Sequence, residues 1–307
     1  MKATILRQFD LPDLPSASGV EVVGDTVYII GDDSPFLYRF DARALKANGR
    51  ITLFETVHFS SGRLPKNIKP DLECLTAVPI AGGDTALLVC GSGATEEREK
   101  GFWVTLPKQP GAGAAVYPLS LSALYGALRK ALPKSVVLNL EAAAATATEL
   151  LLFQRTVGSA MGNLLFRLPL QQALDFIQHR SAQLPIVLTQ FYQLPVITQK
   201  PAGFSGATTY KEKLFVTASV EDTTDPVADG EVLGSFVGML DLAKRSDRPL
   251  QTLFTQLVLP SGQPYRGKVE SITVRREIAP QRYELLLVTD DDAGGSTAVL
   301  VELKADM

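Results

Sequence analysis

The sequence predicts an all-β fold, a single five-bladed β-propeller spanning residues 1–307, and three observations carry that expectation. One segment pattern recurs five times, with starts near Ser18, Glu73, Glu141, Ser205 and Glu270. Four of the repeats contain a fourth strand-like run, and the fifth lacks one before Met307. A run that matches those fourth strands, ATILRQFDLP, stands near Met1 instead. Repetition at this period is the signature of arrays and propellers.

Each repeat opens with a hairpin. The segments are SGVEVVGDTVYIIGDD, ECLTAVPIAGGDTALLVCGSG, EAAAATATELLLFQRT, SGATTYKEKLFVTASVED and ESITVRREIAPQRYELLLVTDD. Small or β-branched residues lead into a polar turn, and an apolar run follows, which reads as two antiparallel strands. Third strands come next: FLYRFD, GFWVTLP, NLLFRLP, SFVGMLDL and TAVLVEL. Fourth strands follow in ITLFETVHF, AAVYPLSL, PIVLTQFYQLP and LQTLFTQLVLP. Residues 1–11 are predicted to complete the last blade, closing the ring through sheet hydrogen bonds and covering an otherwise open edge. The intervals between starts exceed the ~40–45 residues of a compact blade, as decorated loops would require. DARALKANG, SLSALYGALRKAL, LQQALDFIQH and DLAKRSD carry helical spacing and are expected as short rim helices. His179 falls in one of these, His58 late in an outer strand, and Trp103 in a third strand as a core residue.

Composition narrows the function. With 46% hydrophobic residues the chain can bury a large core. A net charge of −3 argues against a general grip on nucleic acid. No uncharged apolar run is long enough to span a membrane, and Asp10 and Asp13 interrupt the N-terminal region where a signal segment would lie, so a cytoplasmic location is expected. Cys74 and Cys90 sit in apolar strand contexts, as buried free thiols do.

In a propeller the first strand of each blade lines the central channel. Ser18, Glu73, Glu141, Ser205 and Glu270 are therefore expected to converge at one end of it. Three carboxylates in a partly desolvated channel need a raised pKa, an entering cationic side chain or a metal. All five donors are oxygens, which favours a hard ion such as Ca²⁺ over zinc.

With that ring, the chain resembles the calcium-activated nucleotidases (apyrases), five-bladed propellers with the order Ser, Glu, Glu, Ser, Glu around the axis. The stretch YIIGDDSPFLYRFD also resembles the Asp-rich blade turn of that family. The resemblance implies that Ser18, Glu73, Glu141, Ser205 and Glu270 ligate Ca²⁺.

Strand direction puts the ends of the second strands on the same face as the ring. Asp32, Asp33, Ser92, Arg155, Glu221, Asp222, Asp290 and Asp291 are expected around that mouth, with Lys66, Lys69, Lys200, Arg266 and Lys268 entering on the connections. The acidic stretch 220–234 lies beside it. Such a funnel suits a small anionic molecule. Asp32, Asp33, Arg155 and Asp290 are the candidate catalytic residues. Lys69, Ser92, Lys200 and Lys268 are the candidate substrate contacts. P-loop and HExxH motifs are absent, and GFSGA lacks the setting of a nucleophile elbow. The reading is a calcium-dependent hydrolase of a small anionic ester, such as a phosphate ester. The alternative is a non-catalytic ligand- or protein-binding propeller with calcium as an axial staple.

Overall fold

A computed structural model describes residues 1–107, 113–156, 163–223, 230–291 and 293–305. Residues 224–229 of the acidic stretch lie outside the described residues, and so does its expected place beside the mouth.

After Lys2–Asp10 (β1), four strands pair in chain order: Ala17–Val23 (β2), Thr26–Gly31 (β3), Phe36–Asp41 (β4) and Ala47–Thr52 (β5). Leu72–Pro79 (β6), Thr85–Gly91 (β7), Lys100–Thr105 (β8) and Ala115–Ser120 (β9) repeat the arrangement, followed by helix Ser122–Ala131 (α1). The third group is Leu140–Ala145 (β10), Glu149–Gln154 (β11), Asn163–Pro169 (β12) and Leu188–Gln193 (β13), with helix Leu170–Ile177 (α2) inserted before β13. A small hairpin, Val196–Ile197 (β14) and Lys200–Pro201 (β15), leads to the fourth group. That group is Gly203–Tyr210 (β16), Lys213–Glu221 (β17) and Val232–Leu240 (β18), then a short strand Leu250–Gln251 (β19) beside β13, and Leu253–Val258 (β20) as its outer strand. Lys268–Ala279 (β21), Arg282–Asp290 (β22) and Ser296–Lys304 (β23) form the last group, and β1 pairs antiparallel with β23 as its fourth strand. β1 also meets β20 in parallel, which joins the fourth and fifth groups into one eight-stranded sheet.

The inner strands form a closed cycle: β2 packs beside β6, β6 beside β10, β10 beside β16, β16 beside β21, and β21 beside β2. The core follows the same cycle. Five apolar clusters occupy the five interfaces between consecutive groups, including the one that joins the last group to the first through Leu286, Val288 and Val20. Aromatic pairs cross three of them: Phe54 on Phe102, Phe153 on Phe204 and Phe215 on Tyr283. Each fully buried Leu or Phe contributes roughly 1.5–3 kcal/mol. The fold is a β-propeller.

Small residues let the inner strands approach. A Cβ on Gly206 would meet the Ser271 backbone at 2.6 Å, and one on Gly19 would meet Leu75 at 2.8 Å. Trp103 is buried in the core, and Cys74 faces Cys90 across β6 and β7 with both thiols free. Burial pushes Cys90 up to about 12.

Four local expectations are corrected. In DARALKANG the Asp41 carboxylate accepts bonds from the Arg43 and Ala44 N–H groups, giving a turn instead of a helix. The outer strand therefore begins at Ala47 and ends at Thr52, which leaves His58 on an exposed loop. In DLAKRSD the Asp241 carboxylate makes the same kind of turn, and no helix forms. His179 lies just past the α2 C-cap with φ 57°.

Candidate functional site

The five repeat-initial residues are structurally equivalent in a specific way. Each of the five inner hairpins carries one register shift at its start, between Ala17 and Gly19, Leu72 and Cys74, Leu140 and Ala142, Phe204 and Gly206, and Val269 and Ser271. The residue skipped in each is Ser18, Glu73, Glu141, Ser205 or Glu270. A β-bulge leaves its extra residue unpaired and re-aims its side chain. Ser18, Glu73, Glu141 and Glu270 line a common cavity of about 310 Å³. Ser205 is outside that lining, buried, with its hydroxyl donating to Thr217 Oγ1 at 3.2 Å.

The ring members find different partners. Ser18 donates to the Leu72 carbonyl at 2.5 Å, tying β2 to β6. Glu141 accepts a bond from Asn139 Nδ2 at 2.6 Å and faces Arg155 at 3.7 Å. Glu270 pairs with Lys268 at 3.2 Å. Glu73 makes no hydrogen bond or ion pair among the described residues. Burial raises the pKa of all three glutamates. For Glu73 it is raised well above the usual range, with Glu141, Asp71, Asp32 and Glu270 pushing in the same direction. For Glu141, Arg155 works against the rise, and the value stands at about 7. For Glu270, Lys268 and Arg155 offset part of it.

Above the ring, Lys69 is buried among Asp32, Asp33 and Asp71, with Asp33 and Asp71 each at 3.1 Å. Burial depresses its pKa, but Asp32 and Asp71 outweigh that and hold it above the ordinary lysine range. Lys69 thus lines the cavity and serves at the same time as counter-ion to these three carboxylates. Asp33 is held on its other side by Arg63 at 2.5 Å, and Asp71 by Arg98 at 2.7 Å. Ser92 donates to Asp71 at 2.5 Å and does not line the cavity. Arg155 bridges Glu141 to Glu221, and Lys268 lies 3.8 Å from Glu221. Lys200 pairs with Asp222 at 3.0 Å, away from the cavity lining. Asp32 and Asp290 line the cavity, whereas Asp33 is buried behind it.

Asp71, Arg63, Arg98 and Asn139 carry no role that sequence reasoning assigns. Asp71 adopts φ 52°, a conformation in which Asp is enriched, and its position two before Glu73 was a usable signal. Arg98 is placed by the loop after β7. Gly93 at φ 74° lies against the Tyr125 ring of α1, where a Cβ would come within 2.7 Å, and its N–H bonds the Arg98 carbonyl.

Asp32, Asp71 and Glu73 bring carboxylate oxygens within 4.8 Å of one another. Asp32 Oδ1 is buried without a hydrogen-bond partner, and burial raises Asp32 to about 7 against the pull of Lys69. An all-oxygen donor set with an orphaned carboxylate oxygen fits a hard divalent cation. Arg63, Lys66 and Arg98 stand on the rim.

Fold and site together define a β-propeller with a charged, open axial cavity. The chain belongs to a family of unknown function, DUF6929, whose model matches residues 13–303. No curated protein matches it in sequence. Among solved structures it is similar to the glutaminyl cyclase of Myxococcus xanthus, with a TM-score of 0.50 and 11% identity over 99% of this chain and 97% of that one. An α-L-arabinanase of Cellvibrio cellulosa matches with a TM-score of 0.47 and 13% identity over 95% and 91%. The Cps50 (Swd1) β-propeller domain of Myceliophteria thermophila matches at 0.41 and 10% over 95% and 99%. At such identities the likeness concerns fold alone.

Proposed function

We propose that this propeller binds one Ca²⁺-like cation at the mouth of its axial cavity and hydrolyses a small anionic ester there. The observation that carries the reading is the unmatched Glu73 carboxylate beside Asp32 and Asp71, under a rim of Arg63, Lys66 and Arg98. Asp32, Asp71 and Glu73 would hold the ion. Glu73 also belongs to the bulge ring, so this seat overlaps the ligand set implied by the resemblance to five-bladed calcium-activated nucleotidases. Bound there, the ion would polarise an ester oxygen and lower the pKa of a bound water.

The chain's own groups supply the remainder. Arg98 and Lys66 orient the anionic group by charge. Glu141, fixed by Asn139 and Arg155, takes a proton from water and returns it to the leaving alcohol, so that ester and water become acid and alcohol. A pKa of about 7 suits that exchange. Asp33 positions Arg63 and Lys69, and Asp290 lines the same cavity, near enough to Arg63 to act on its charge.

The test is a panel of phosphate and carboxylic esters assayed with Ca²⁺ or EGTA, on wild type and Glu141→Gln. Turnover that needs calcium and falls at least ~100-fold in Glu141→Gln, with melting unchanged, supports the reading. Calcium-independent turnover, or equal turnover in both proteins, contradicts it.

A second reading, a non-catalytic ligand-binding propeller with a structural ion, is favoured by Lys69 already satisfying three carboxylates. It differs in one outcome: EGTA lowers the melting temperature and no ester is cleaved.

A further inference from the structure

Arg63 lines two cavities. One is the axial cavity; the other is a groove of about 730 Å³ between the first and last blades, bordered by Asp13, Arg50, Phe59, Asp291 and Gly294. Its Nε and Nη2 are committed to Asp33, at 2.7 and 2.5 Å. The side chain lies flat across Gly294, where a Cβ would stand 2.9 Å from Arg63 Cδ and 3.0 Å from Nη1. Gly294 has φ 97°, so the chain at this point takes glycine readily, and the missing Cβ leaves room for the Arg63 side chain that borders both cavities.

The groove has its own chemistry. Phe59 packs edge-on against Phe36 at 5.4 Å, and Arg50 covers Phe36 at 3.7 Å, which fixes an aromatic wall. Asp10, Asp13 and Asp291 outnumber Arg50 and Arg63 along the groove, so a second anionic group is disfavoured there. The carboxylates, guanidinium groups and hydroxyls of Ser61 and Thr297 suit hydroxyl groups more than an alkyl chain.

We infer that the substrate is bipartite: an anionic group at the axial cavity, joined over Arg63, the side chain that borders both cavities, to a neutral polyhydroxylated ring in the groove, as in a sugar phosphate. This rests on the axial cavity being the anion's seat. Phe59 stacks on one face of the ring, and Asp13 and Arg50 take its hydroxyls.

Calorimetric titration with inorganic phosphate, n-hexyl phosphate, glucose 6-phosphate and methyl glucoside, in calcium, tests it. Glucose 6-phosphate should bind about tenfold tighter than either of the other phosphates. Phe59→Ala and Asp13→Asn should each remove most of that advantage, Phe59→Trp should keep it, and Arg98→Ala should weaken all three phosphates. Phosphates that bind through Arg98 with no sugar advantage overturn this inference and leave the axial reading standing. Methyl glucoside that binds through Phe59, with no phosphate binding, overturns the axial reading and the bipartite substrate with it. A protein that binds none of the four overturns both.

Discussion

The two layers of the axis handle buried carboxylates in opposite ways. At the mouth, the bulge layer of Ser18, Glu73, Glu141, Ser205 and Glu270 is compensated by charge: Arg155 and Lys268 enter for two glutamates, and Glu73 is left over. Three residues further along each inner strand lie Glu21, Thr76, Ala144, Thr208 and Thr273, and here a single carboxylate is compensated by neutral donors. Glu21 accepts from Thr273 at 3.1 Å, Thr208 at 3.4 Å, and the N–H groups of Ala77 and Val22 at 3.3 and 3.2 Å. Strands from four blades thus meet on one side chain. Burial still raises Glu21 to about 7, because hydrogen bonds recover only part of the desolvation. The deeper layer is a finished internal junction. The mouth keeps unsatisfied acceptors, which is what a ligand site requires.

Removing a partner should therefore do most harm at the mouth. Arg155→Ala leaves Glu141 and Glu221 buried without their guanidinium, and urea unfolding should show a loss of about 3–5 kcal/mol. A loss below about 1 kcal/mol would mean that the mouth, like the deeper layer, does not depend on charge. Glu21→Gln sharpens the other side of the comparison. Its folded pKa lies above the ordinary glutamate value, so its stabilising contribution is complete below that value and is lost as pH rises through about 7. Glu21→Gln should be relatively more stable at pH 8 than at pH 5, by roughly 1–3 kcal/mol compared with wild type. Parallel stability profiles for the two proteins would contradict the assignment.

The ring was legible because each blade repeats one pattern and the small residues after Ser18, Glu141 and Ser205 mark strands that must pack closely. β1 was legible from its likeness to the outer strands, and it pairs with β23 in the way that likeness implied. The parallel contact of β1 with β20 was not, since two neighbouring outer strands carry no pattern that announces their pairing. Lys69, Asp71, Arg63 and Arg98 lie on connections, where side-chain direction depends on turns such as φ 52° at Asp71 and on the packing of α1. Glu21 was hidden differently. In SGVEVV it reads as the polar face of a strand, and only the ring shows that this face points to the axis.

At the mouth, Glu73 has no cation within ion-pair distance among the described residues, although Lys69 lies near enough to feel its charge. Calorimetric titration of Ca²⁺ into chelator-stripped wild type and Glu73→Gln addresses it directly. We expect one ion per chain in wild type and binding weaker by at least ~100-fold in the variant, a difference of ~2.7 kcal/mol. No heat with wild type, or the same affinity in both, would contradict it.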